Sequence, residues 1–301
     1  MKNIIKTTLF LTIAFLSQNF YGQEYSVQFQ EYFNAKDTTN QIKVLTAWEK
    51  ATPKDPELYT SYFNYYFSKA QKEFISLSTD EPQGMGLTLT DSTNQIAGYL
   101  SGQVTYDERY TTQAFQKIDE GIKLFPNRLD MRFGKTYALK ELKRWDELTD
   151  VFIETVTYGN KINNDWLWTE NKKLESGKEN MLAAIQDYIS EMFNTGNDKV
   201  IDNMRTISLE VLKYYPNHVE SLSNIGTTYL IDKEYENALN YFLKAETINP
   251  KDAIVLNNIA YSYQLLENNV KAIEYYKKML PYVSTETKES IKRVITGLES
   301  K

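Results

Sequence analysis

Gly134-Lys135-Thr136 has the ending of a phosphate-cradling loop, in which a lysine meets the β/γ-phosphates and a hydroxyl reaches the magnesium ion. Such a loop also needs a glycine five residues before Gly134 and a strand leading into it; Leu129 holds the first place and no strand signal the second. Nucleotide binding is therefore not expected. Gly84 and Gly86 form an isolated Gly-x-Gly with no third glycine and no following helix, which suits a turn. His218 is the one histidine, at an expected helix start, where a solvated turn residue is the simpler reading. A single histidine and no cysteine remove most imidazole acid–base chemistry, thiolate nucleophiles, thiolate metal sites and disulfides. Adjacent carboxylates such as Asp119 and Glu120 are common on helix surfaces and carry no specific signal. No catalytic constellation, cofactor site or metal site emerges, so an enzyme is not expected. A carboxylate-based hydrolase centred on the 76–106 segment stays open as a minor reading.

What remains is surface recognition. Trp166-Leu167-Trp168 sits in a polar stretch, 161–178. In an extended segment alternate residues share a face, so Trp166 and Trp168 could stack on a sugar ring or anchor a partner. The other reading is a core anchor beneath a long loop.

These side chains must be held by helices. Gln41–Ala51 and Glu57–Phe74 carry apolar residues at helical spacing, with Pro53 and Pro56 punctuating between them. Helical spacing resumes at Asp107–Phe125, Asp130–Leu142, Trp145–Val156, Asn180–Phe193 and Lys199–Tyr214. Between Glu57–Phe74 and Asp107–Phe125, Leu87–Thr90 and Ile96–Leu100 flank the turn residues of Asp91–Gln95 and predict a small β-hairpin. Thr285–Leu298 sets Ile291, Val294, Ile295 and Leu298 on one face, the form of a solvating end cap.

Two stretches repeat each other with a period of 34 residues. Leu222, Ile225, Gly226, Tyr229, Ala238 and Phe242 are matched by Leu256, Ile259, Ala260, Tyr263, Ala272 and Tyr276, and Pro216 and Pro250 keep the same spacing. A period of this length means stacked units, none of which buries its apolar face alone. Asn217 with Glu220 reads as a capping box, and Asp252 as an N-cap. Gly134, Tyr137, Trp145, Leu148 and Phe152 echo the pattern as a degenerate unit.

The pattern resembles the tetratricopeptide (TPR) repeat. The resemblance implies an all-α fold, a right-handed superhelical solenoid of antiparallel helix pairs, here with a small β-hairpin inserted around 86–100. Gly226 and Ala260 would be the small residues at the helix crossing, with Tyr229 and Tyr263 filling the space beside them. The first helix of each pair would line a concave groove for a peptide or partner helix, at Glu220, Ser223, Asn224, Thr227 and Leu230, then Ile254, Asn257, Asn258, Tyr261 and Gln264. The chaperone-binding branch clamps a terminal carboxylate with lysines and asparagines; no lysine stands at these groove positions. The asparagine amides could bridge a peptide backbone or merely solvate the groove.

The chain of 301 residues is 42% hydrophobic and 25% charged, suited to a folded protein with helices joined by short turns. Its net charge of −6 gives no footprint for nucleic acid. Lys2 and Lys6 followed by the apolar run Thr7–Leu16 predict a cleaved export signal, cut near Gly22–Gln23. Removal of those two lysines would take the balance to −8. The expected organisation is a leader over 1–22, N-terminal helices over 23–75, an insertion over 76–106, degenerate TPR-like helices over 107–160, and a polar loop over 161–178. A helix pair over 179–218, repeats over 219–252 and 253–286 and a cap over 287–301 follow. The whole resembles exported TPR-containing proteins of Gram-negative bacteria, periplasmic or extracellular. The function expected is a scaffold whose partner is another protein or peptide, with no nucleic acid and no membrane span after cleavage. The alternative is a glycan-binding accessory protein; composition and pattern leave the oligomeric state open.

Overall fold

The computed structural model describes residues 22–82 and 84–300. The leader expected over 1–22 thus lies outside the described residues, except for Gly22. The chain divides into two units: residues up to Leu142 with Leu167–Lys173, and Lys143–Trp166 with Leu174 onward.

The first unit opens with α1 (22–34), α2 (Thr38–Ala51) and α3 (Pro56–Ala70). Asp37 caps α2 by accepting from Asn40 N at 3.0 Å, and Asp55 caps α3, whose first residue is the Pro56 favoured there by its fixed φ. Their apolar faces close on Phe29, Leu45, Trp48, Leu58 and Tyr62. The expected helix Glu57–Phe74 stops four residues early. Gln71–Ser78 is instead strand β1, paired along its full length with β3 (Ile96–Tyr106), which also pairs with β2 (Gly86–Thr90). The hairpin is therefore part of a three-stranded antiparallel sheet in the order β1-β3-β2. Phe74, Ile75 and Leu77 suit a pleated strand, and the long β3 offers β1 a complete ladder, which outweighs a further helical turn. Asp107 N donates to Ala70 O at 2.8 Å, so the chain leaves and re-enters the helical layer at one point. There α4 (Glu108–Leu124) packs on α3, followed by α5 (Leu129–Glu141). The short strands β4 (Leu167–Trp168) and β5 (Lys172–Lys173) complete the unit.

The second unit contains α6 (Trp145–Lys161), α7 (Gly177–Asn194), α8 (Ile201–Tyr214), α9 (Val219–Ile231), α10 (Tyr235–Ile248), α11 (Ala253–Leu265), α12 (Asn269–Met279) and α13 (Thr285–Glu299). Here the 34-residue period becomes geometry. Tyr229 stacks on Tyr241 with centroids 5.7 Å apart, and Tyr263 meets Tyr275 in a tilted pair at 5.6 Å. Between paired helices, Lys233 and Glu267 both take left-handed φ (63° and 59°), and Glu234 N and Asn268 N close the same six-residue ring on Tyr229 O and Tyr263 O. Successive pairs bury Leu222, Ala238, Phe242, Val255 and Ile259, then Leu256, Ala272, Tyr276, Ile291 and Ile295.

Three local expectations change. Phe242, not Tyr229, fills the space beside Gly226: a Cβ there would lie 2.5 Å from its ring. Gly134 lies over Phe63 of α3 instead, and the two helices of the degenerate repeat, α5 and α6, fall in different units. The cap of α9 is His218, not Asn217: His218 Nδ1 accepts from Ser221 N at 3.3 Å. Burial holds this imidazole below its ordinary pKa, partly opposed by Glu220, and the neutral ring keeps a lone pair for the cap. Asp252 does cap α11, accepting from Ile254 N and Val255 N.

Candidate functional site

Gly134, Lys135 and Thr136 lie inside α5, where their backbone amides belong to the helix. Lys135 pairs with Asp119 at 2.7 Å, and the Thr136 hydroxyl donates to Phe133 O. That segment cannot wrap a phosphate. The two tryptophans also part company. Trp166 is fully buried beside Tyr158, Gly159 and Met181, whereas Trp168 is 38% exposed against Phe133. A paired indole platform is not formed, and Trp166 is a core anchor.

The groove positions lie on the first helices of the two repeats, α9 and α11, which neighbour each other. Asn224 pairs with Gln186 of α7 through both its amide nitrogen and oxygen, donating at 2.7 Å and accepting at 3.4 Å, so half of its hydrogen-bonding capacity is used internally. Glu220 is exposed and faces His218 Nε2 at 3.3 Å. Ser223 and Thr227 are half-buried. Gln264 accepts from Tyr276 OH at 3.2 Å. Asn257 and Asn258 are half-buried and have no side-chain hydrogen bond among the described residues. Ile254 and Tyr261, on the same helix, stand 70% and 44% exposed. No charged residue occurs anywhere in α11. An uncharged helix with free amides between exposed apolar side chains can pair with peptide groups and cover an apolar side chain.

The inserted sheet offers a second surface. Cross-strand partners place Ile75, Leu77, Leu87, Leu100 and Val104 on one face, and Ile75, Leu77 and Leu87 are each at least 69% exposed. A contiguous apolar face of this kind marks an interaction surface more often than a solvated one.

A third feature has no counterpart in the sequence reading. A cavity of about 660 Å³ in the first unit is bounded by the α2–α3 turn, Phe125 and the Glu170–Asn171 corner. Arg128, fully buried, braces it, forking onto Asp130 at 2.8 and 2.7 Å and reaching Glu57 at 2.7 Å. Glu57 also accepts from Glu170 N at 2.7 Å, in a corner where Glu170 and Asn171 take left-handed φ. Thr52, Asp55 and Glu57 read in sequence only as neighbours of helix-breaking prolines. The partners of Glu57, Arg128 and Glu170, lie about 70 and 113 residues away, beyond any local pattern.

The second unit's geometry meets its counterpart in known proteins at one place: residues 219–252 match the tetratricopeptide repeat. The chain carries a TPR repeat. No curated protein matches the chain. Among solved structures it is similar to YrrB, a TPR protein with an unusual peptide-binding site, at 15% identity over 60% of this chain and 83% of that one (TM-score 0.38). It is also similar to the Sgt2 TPR domain from Aspergillus fumigatus, at 19% identity over 38% and 82% (TM-score 0.32). MamA matches at 10% identity over 87% and 91% (TM-score 0.32). No helix among the described residues is long and apolar enough to cross a membrane.

Proposed function

We propose that this protein is an exported, non-catalytic TPR scaffold that binds another protein, through an extended peptide laid along α9 and α11. The observation that carries the reading is α11: thirteen residues without a charge, Asn257 and Asn258 with unspent amides, and Ile254 and Tyr261 exposed beside them. Backbone-directed amides supply affinity without strict sequence demand, and the apolar side chains supply selectivity. A carboxylate clamp is not part of the proposal, because no lysine stands among the groove positions. The apolar sheet face supports a second contact with the same partner. Export to the periplasm or exterior belongs to the proposal and is supported by Lys2, Lys6 and the apolar run Thr7–Leu16.

The test is crosslinking of the tagged protein in envelope fractions, with mass spectrometry of the captured species. One sample carries Asn257→Glu, Asn258→Glu and Tyr261→Glu, and another Ile75→Thr with Leu87→Thr. A single protein captured by the wild type and lost from the first variant, with circular dichroism unchanged, is the expected result. Equal capture by the wild type and the groove variant would refute the groove. Loss in the sheet variant alone would move the docking surface to the sheet.

A further inference from the structure

The two edges of the three-stranded sheet are not alike. β2 runs for five residues and carries a register shift between Leu89 and Thr90, features that blunt an edge against further pairing. β1, at the other edge, is eight residues long and regular, pairing with β3 from Gln71 to Ser78 without a shift. Its only charges, Lys72 and Glu73, stand at its start, and Phe74–Ser78 contains no charge, proline or glycine. Ile75 and Leu77 are 78% and 69% exposed, and among the described residues no main-chain hydrogen bond reaches the outer side of this segment. A regular edge of this kind offers a row of unpaired N–H and C=O groups to another strand.

We propose that the β1 edge pairs with the β1 edge of a second copy of this chain, antiparallel about a two-fold axis, joining the two sheets into one. The strand itself selects this occupant, because it complements itself in one register. A two-fold axis normal to the sheet keeps each face on its own side, so residues meet only in same-face pairs. Centred on Ser76, a ladder over Phe74–Ser78 sets Ile75 of each copy opposite Leu77 of the other, with the two small Ser76 hydroxyls facing each other at the axis. It also brings Lys72 of each copy opposite the exposed Asp80 of the other, two residues past the strand. Lys72 shares Asp107 with Arg109, at 3.1 and 2.9 Å, so it can turn to a second carboxylate without leaving Asp107 unpaired. Other registers lose these matches. Centring on Ile75 or Phe74 sets Glu73 opposite Leu77 or Ile75, and centring on Glu73 opposes two carboxylates. A foreign strand would need this order of charged and apolar positions by chance; a second copy carries it by symmetry. The pairing uses up the regular edge of both copies and leaves only the blunted β2 edges, so assembly closes at the dimer.

The experiment is sedimentation velocity on the full chain over about a hundredfold range of concentration, for the wild type and two variants at the exposed positions. Ile75→Lys with Leu77→Lys opposes like charges across the axis, and Ile75→Lys with Leu77→Glu sets opposite charges there in the same register. The expected result is a concentration-dependent dimer in the wild type, weakened about tenfold or more in the like-charge variant and restored in the opposite-charge variant. A wild type that stays monomeric throughout, equal dimerisation of the like-charge variant, or no recovery in the opposite-charge variant would each overturn the pairing. So would growth of the wild type beyond the dimer, which a closed two-fold forbids. Circular dichroism checks that both variants fold. Should either fail to fold, hydrogen exchange of the wild type decides alone. Amide protection over Phe74–Ser78 that rises with concentration supports the edge, and protection independent of concentration overturns it.

Discussion

Gly226 shows how much a single hydrogen atom can decide. A Cβ at this position would lie 2.5, 2.7 and 2.8 Å from three ring carbons of Phe242, which is itself fully buried and cannot swing into solvent. Glycine inside a helix costs about 0.5–1 kcal/mol relative to alanine, so only a packing demand explains it here. Gly226→Ala recovers that helix propensity but overpacks the crossing by about 1–3 kcal/mol, a net loss of stability. Urea denaturation of Gly226→Ala, Phe242→Leu and the double variant should give a positive coupling, because the smaller side chain relieves the clash. Additive effects would mean that the ring yields freely and the crossing is not tight. The next repeat carries Ala260 opposite Tyr276, so α11 and α12 accommodate a methyl group where α9 and α10 do not.

At the scale of elements, the corner at 167–173 depends on one side chain. Arg128 is fully buried and joins α3 to α5 through Glu57 and Asp130, and its Nη1 also donates to Asn171 Oδ1 at 3.3 Å. Arg128→Met keeps the bulk but strands two nearly buried carboxylates, an expected cost of about 3–5 kcal/mol. Thermal melting should show this, together with faster amide exchange at Glu170, whose N–H is held by Glu57. A loss below about 1 kcal/mol would place the pair in the class of solvent-screened bridges. This tether also marks the limit of what the sequence discloses. The paired helices were legible because Leu222, Gly226, Ala238 and Phe242 recur 34 residues on, and Asp252 announced its own cap. Strand β1 was not, because Phe67, Ala70 and Phe74 continue a helical stripe and only the ladder with β3 overrides it. The cavity was illegible for a related reason: Glu57 acquires meaning only beside Arg128 and Glu170. Asn257 and Asn258 are half-buried on α11, and nothing local indicated that Gln186 would pair with Asn224.

For the molecule as a whole, stability in the second unit should be distributed along the repeats and not shared equally. Each helix pair buries its apolar face chiefly against its neighbours, so the last pair depends on α13. Ile291, Ile295 and Leu298 are 5–6% exposed and cover Leu256, Ala272, Tyr276 and Met279. Ile295→Ala removes about 2–5 kcal/mol of packing from this end. Contacts between neighbours pass that loss to α12 first and to α11 next, with little left at α8 and α9. Hydrogen exchange read by mass spectrometry should therefore show protection lost in α12–α13, reduced in α11 and unchanged in Ile201–Ile231. That gradient would bear on the proposed function, because Asn257, Asn258 and Tyr261 lie on α11, which packs against α12. A bound peptide that spans α9 and α11 would then flatten the gradient, since ligand binding stabilises the segment it holds. Uniform loss of protection from α6 to α13 would instead make the unit a single cooperative body, and the groove would be rigid before any partner arrived.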